Sequence, residues 1–242
     1  MRQQGRFLDT DATGIQLTAA LIFFAVFTSH GLSPICCYDS DPMWSIHTAM
    51  SIIREGNTDL DEYEDIMKNR DKYAYPIENT YTIENIDGHL YTTFPVGTSV
   101  VAVPFLFVMD KVSGGLLSLD LDEYIRHIGP GVFERFIASF IVAFTAVFVY
   151  LIARFSLSSK HSLLLVFVFA FCTSSWSTAS RALWQHGPSM LMLTITLYLI
   201  LLAKNRAWLI QFASIPLAFS CVVRPTNSIP TSFINGFCLY ST

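Results

Sequence analysis

Five stretches of this chain, 14–32, 136–153, 162–180, 187–203 and 207–223, contain no Asp, Glu, Lys or Arg. Crossing the hydrocarbon core of a bilayer takes about 20 mostly apolar residues, with a usual range of roughly 17 to 25. Every backbone N–H and C=O must be satisfied inside the crossing segment, which leaves the helix as the form such a run can take. The expectation is therefore an all-α polytopic membrane protein. It has about five transmembrane helices, plus amphipathic or juxtamembrane helices in a large first outer loop, 33–135. Composition agrees, since the 242 residues are 52% hydrophobic and only 14% charged, and the mean hydropathy is +0.45.

The first run follows Arg2 and Arg6 and could pass for a signal peptide. It is longer than a usual signal core and no A-x-A-like site follows, so it reads as an uncleaved anchor. The basic residues between runs, Arg154 with Lys160 and Lys204 with Arg206, join the N-terminus on the cytoplasmic side by the positive-inside rule. The loop 33–135, the 181–186 turn and everything after Val223 then face outward, in a multi-pass protein of the cell membrane. That outer loop carries 17 Asp or Glu against 7 Lys or Arg. No acid follows Glu134, so Arg181 and Arg224 have no carboxylate near them in sequence. Their counter-charge is expected from the loop, a lipid headgroup or an anionic substrate.

Within the loop, Asp41-Pro42 reads as a helix start, with an N-cap followed by proline at the first helical position. Trp44, Ile46, Ala49, Met50 and Ile53 recur at three- and four-residue spacing, giving an amphipathic helix that ends at Gly56 and lies along the membrane surface. From 57 to 87 little regular structure is expected, and DLDEYEDIMKNRD reads as a solvated acidic face. Asp87-Gly88 is a turn signal. The apolar run 100–109 is too short to span and suits a buried, re-entrant or interfacial helix. His47 and His89 read as surface histidines. The five cysteines show no metal-ligand spacing. There is no P-loop, dinucleotide fingerprint, zinc motif or nucleophile elbow, and no nucleic-acid partner is expected.

An aspartate-bearing stretch after the first span, then TTFPVGTSVVAVPF, SRALWQHGPSML and VRPTNS, together resemble the polytopic GT-C glycosyltransferases, which include the dolichyl-phosphate-mannose protein mannosyltransferases. Phe94 and Val96 depart from the family's Y-P-P-G-like segment, whereas Pro95 and Gly97 keep to it. The resemblance covers the amino-terminal part of the family only, and the GT-C-like domain spanning 1–242 is expected to be incomplete at its C-terminus.

The resemblance implies a sugar passed from a polyprenyl-phosphate donor to a glycan, lipid or protein acceptor on the outer face, with membrane lipids as the other partners. It assigns Asp39 or Asp41 as the base or as a contact to a divalent metal ion, the candidate cofactor. Arg181, His186 and Arg224 would face the lipid phosphate. Plainer roles stand beside these. Asp41 could cap the amphipathic helix, Arg181 could snorkel to headgroups, His186 could cap the fourth span, and Arg224 could be an interfacial anchor. Trp176 and Trp184 would be belt aromatics. The rival functions are a transporter or lipid flippase and a non-catalytic membrane subunit.

Overall fold

The computed structural model describes residues 12–34, 41–68, 80–117, 120–229 and 231–232. The described chain is predominantly helical, with one two-stranded sheet. Helix α1, Ala12–Gly31, leads into the loop elements α2, Ser45–Arg54, and α3, Glu64–Lys68. A hairpin of β1, Ile83–Ile86, and β2, His89–Thr92, follows, and then α4, Gly97–Val112, and α5, Leu121–Ile128. The second half is α6, Gly131–Ala153, α7, Ser159–Phe171, α8, His186–Ala203, and α9, Ile210–Val223.

Among the described residues, four helices are long and apolar enough to cross a membrane: Thr13–Gly31, Gly97–Gly115, Gly131–Ala153 and His186–Ala203. Three of these lie on expected spans. The fourth contains the 100–109 run, which is extended at both ends because Gly97-Thr98-Ser99 join the helix and a π-helical turn, Ser113–Leu117, continues it. The expected third and fifth spans instead contain shorter apolar helices, Ser159–Phe171 and Ala207–Val223. The run 162–180 is broken after Phe171, where Cys172 caps the helix and the Thr173 hydroxyl bonds the Phe169 carbonyl at 2.6 Å. The chain then restarts as a π-helical turn, Ser175–Ala179.

Aromatic side chains hold α1 on α6. Phe23 meets Phe140 and Phe144 at ring distances of 5.3 and 4.9 Å, and Phe27 meets Phe136 at 5.4 Å, within the range where edge-on aromatic pairs are favourable. Val142, Ala143 and Ala146 of α6 share this core with Val166 and Ala170 of α7. A second core lies under the outer loop, where Ile46, Ala49 and Met50 of α2 pack with Ala102 and Leu106 of α4, Ile125 of α5 and Ile137 of α6.

The amphipathic spacing in α2 is thus real, but its apolar face is covered by protein. The helix begins at Ser45, and Trp44 at its N-cap position makes no capping hydrogen bond with its side chain. His47 is fully buried rather than at the surface, with its ring against Tyr63 at 4.8 Å and Trp44 at 5.0 Å. Burial pushes its pKa down to about 4. His89 is exposed as expected and lies 2.6 Å from the Asp61 carboxylate, whose hydrogen bond raises its pKa.

The segment 57–87 holds more structure than expected. The hairpin turn is Asp87-Gly88, with φ of 53° and 95°, the left-handed pair that two-residue hairpins use. In the acidic stretch, Leu60, Tyr63 and Ile66 are buried. Tyr63 donates to Asp122 at 2.6 Å, and Arg126 stacks on the Tyr63 ring at 4.4 Å while pairing with Asp122 and Asp65.

Candidate functional site

Pro225 shapes the end of α9. The residue before a proline is pushed out of the helical region, and Arg224 accordingly takes φ −146°, ψ 106°. The chain leaves the helix there and a short turn, Pro225–Asn227, follows. Asn227, 6% exposed, donates to the Ser189 hydroxyl at 2.8 Å and to the Ser220 carbonyl at 2.9 Å. The amide thereby ties the turn to the first turn of α8 and the last of α9. Asn227 lies in the VRPTNS stretch, but sequence reasoning gave it no role.

Held in this way, the Arg224 guanidinium donates from Nη1 to Nδ1 of His186 at 3.0 Å. Arginine has donors only, so His186 Nδ1 must accept, and a neutral ring then carries its proton on Nε2. The His186 ring is stacked with Trp184, with a 13° interplanar angle and centroids 6.2 Å apart. The Asp41 carboxylate lies within Coulombic reach of the same histidine. Arg224 and His186, 38 positions apart, therefore meet at one end of the bundle, with the Asp41 charge in the same electrostatic neighbourhood. The pair supplies the cation and the hydrogen-bond donor expected of an anion contact. Asp39 lies outside the described residues.

Arg181 has a different environment. It is 2% exposed. Its Nε donates to the Trp176 carbonyl at 2.7 Å, and its Nη1 reaches the His30 carbonyl at 3.5 Å, the long end of hydrogen bonding. The guanidinium also lies over the Trp176 ring at 4.2 Å, a cation–π contact strengthened by exclusion of water. A guanidinium this enclosed does not snorkel to headgroups. Trp176 is correspondingly a platform for Arg181, more than a belt aromatic.

Helix α4 reaches the same end of the bundle as Arg224. A Cβ added at Gly97 would lie 2.6 Å from Val222 C, Val222 O and Val223 Cα, so the two backbones touch one residue before Arg224. This explains the glycine in the FPVGTS segment.

A divalent metal fits Asp41 poorly on the described residues, because no cluster of three ligand side chains among them includes it. Two such clusters lie in the loop instead, Asp59, Asp61 and His89, and Glu55, Asp59 and Glu62, each with ligand atoms within 4.8 Å of one another.

No family model, curated protein or solved structure matches this chain. Its function has to be read from its own residues.

Proposed function

We propose that this protein is an integral membrane glycosyltransferase using a polyprenyl-phosphate-linked sugar as donor. The observation that carries this reading is the contact of Arg224 with His186 at the start of α8, within the Coulombic influence of the Asp41 carboxylate. Asp41 takes the proton of the acceptor hydroxyl, whose oxygen attacks the anomeric carbon. The bond from that carbon to the phosphate oxygen breaks, and the lipid phosphate departs with the electron pair. Arg224 and the Nε2 proton of His186 stabilise the charge that develops on it. A single displacement assisted by one base inverts the anomeric centre.

The basic places at Arg2, Arg6, Arg154, Lys160, Lys204 and Arg206 put the N-terminus in the cytoplasm and this site on the outer face. Helix α4 is long enough to cross but belongs to the outer loop on this reading. Arg54 at the end of α2 pairs with Asp110 near the end of α4 at 2.8 Å and with Asp120 at 3.0 Å. The three charges are thereby held together within the loop, which supports keeping α4 on its side.

The test is sugar transfer in membranes supplied with polyprenyl-phosphate sugars, for the wild type and for Asp39→Asn, Asp41→Asn, His186→Ala and Arg224→Gln. Asp41→Asn and Arg224→Gln are expected to lower the rate at least about a hundredfold. Transfer left unchanged by every substitution refutes the site. No transfer by the wild type, with export or flipping of the donor instead, would favour a transporter.

A further inference from the structure

In the FPVGTS segment α4 begins without a cap. Val96 stands at the N-cap position and offers no side-chain hydrogen bond. The amides of Gly97, Thr98 and Ser99 have no acceptor among the described residues. Thr98 is 1% exposed, and its hydroxyl is buried with no hydrogen-bond partner. The Cα–Cβ bonds of a helix tilt toward its N-terminus, so the buried Thr98 side chain sets out toward the turn that holds these amides. A buried hydroxyl and three unsatisfied N–H groups together are costly unless something accepts from them. The aligned peptide dipoles of a 16-residue helix make the missing acceptor an anion. Gly97 touches the backbone of Val222 and Val223, which places Arg224 next to this turn.

We propose that the first turn of α4 is an oxyanion cradle, in which the Thr98 hydroxyl and the amides of residues 97–99 bind the phosphate of a membrane-embedded lipid beside Arg224. The cradle rests on the reading of Arg224 and His186 as phosphate contacts, and it extends that site to a second helix. Thr98 is then a specificity-determining residue. It satisfies its own hydroxyl only when a phosphate is bound.

The test uses the full chain in phosphatidylcholine nanodiscs, titrated calorimetrically with a polyprenyl monophosphate. Inorganic phosphate is a second probe, and phosphatidylglycerol nanodiscs provide a third arm. Thr98→Val, which keeps the shape and removes the hydroxyl, is expected to weaken polyprenyl phosphate binding at least about tenfold, the effect of one hydrogen bond to a charged group. Thr98→Ser is expected to bind like the wild type. Without ligand, Thr98→Val is expected to melt no lower than the wild type, because it removes an unsatisfied group; a merely structural threonine would give the opposite result. If only inorganic phosphate or phosphatidylglycerol binds in a Thr98-dependent way, the cradle holds and the donor reading falls. Unchanged binding in Thr98→Val alongside weakened binding in Arg224→Gln overturns the cradle and leaves the proposed function standing. A wild type that binds none of the three overturns both.

Discussion

Replacing Gly97 with alanine should disturb both the stability of this protein and its site, and the size of the effect follows from one contact. The added methyl would lie 2.6 Å from three backbone atoms of Val222 and Val223. Carbon atoms settle at about 3.5 Å or more, so the helices must separate by about 0.9 Å. The atoms in the way are main chain, and no rotamer change relieves them. Overpacking of this kind costs about 1–3 kcal/mol, and in a domain of 150–250 residues each kcal/mol lowers Tm by about 2–4 °C. Gly97→Ala should therefore melt about 2–12 °C below the wild type in detergent. Val222→Ala is the control. The Val222 side chain is 48% exposed and is not what the methyl meets, so the double substitution should melt no higher than Gly97→Ala alone. A Gly97→Ala protein melting within about 1 °C of the wild type would refute the close approach. Rescue by Val222→Ala would mean that side chains set the spacing.

Three further outcomes are expected. His47 is buried with its pKa pushed down to about 4, against 6.5 when unfolded, so the unfolded chain binds the extra proton across that interval. Stability should fall by up to about 3 kcal/mol as pH drops from 6.5 to 4, and chemical denaturation of His47→Phe across that window should show a shallower fall. Arg181→Lys keeps the charge but loses the planar stack on Trp176, and should cost about 2 kcal/mol, read as a lower Tm; an unchanged Tm would contradict the enclosed guanidinium. Asn227→Ala removes the donors to Ser189 and Ser220 and should cost about 1–3 kcal/mol. It should also lower any transfer activity, because the turn it ties holds Arg224 against His186.

Elements that depend on the chain's own apolar periodicity were legible in the sequence. Helices α1, α6 and α8 lie on charge-free runs, α2 follows the spacing of its apolar residues, and Asp87-Gly88 turns the hairpin. What escaped depends on what packs against what. His47 looks like a surface residue until α3 and α5 cover the second side of its helix. The run 162–180 is free of charge throughout, and counting charges is blind to the break that residues 172–174 make between α7 and the turn Ser175–Ala179. The two carbonyls and the indole ring beside Arg181 could not be foreseen, because no residue type in the sequence announces a carbonyl. At the candidate site, His186 and Arg224 stood out as polar residues beside apolar runs. Thr98 and Asn227 did not, because their importance lies in hydrogen bonds made or left unmade after folding.

The position of Arg181 also fixes where α1 can end. The His30 carbonyl it reaches belongs to the last turn of that helix, where the aligned peptide dipoles leave partial negative charge. The guanidinium therefore works as a peg against which the length of α1 is measured. Inserting one residue between Phe27 and His30 would turn the helix end by about 100° and shift it by about 1.5 Å relative to the Phe23–Phe27 face, so that the carbonyl would leave the cation while that face stayed on α6. A bilayer thicker or thinner than this helix must then be accommodated at the Ala12 end, by tilt or by the flanking residues, since the other end is held in register.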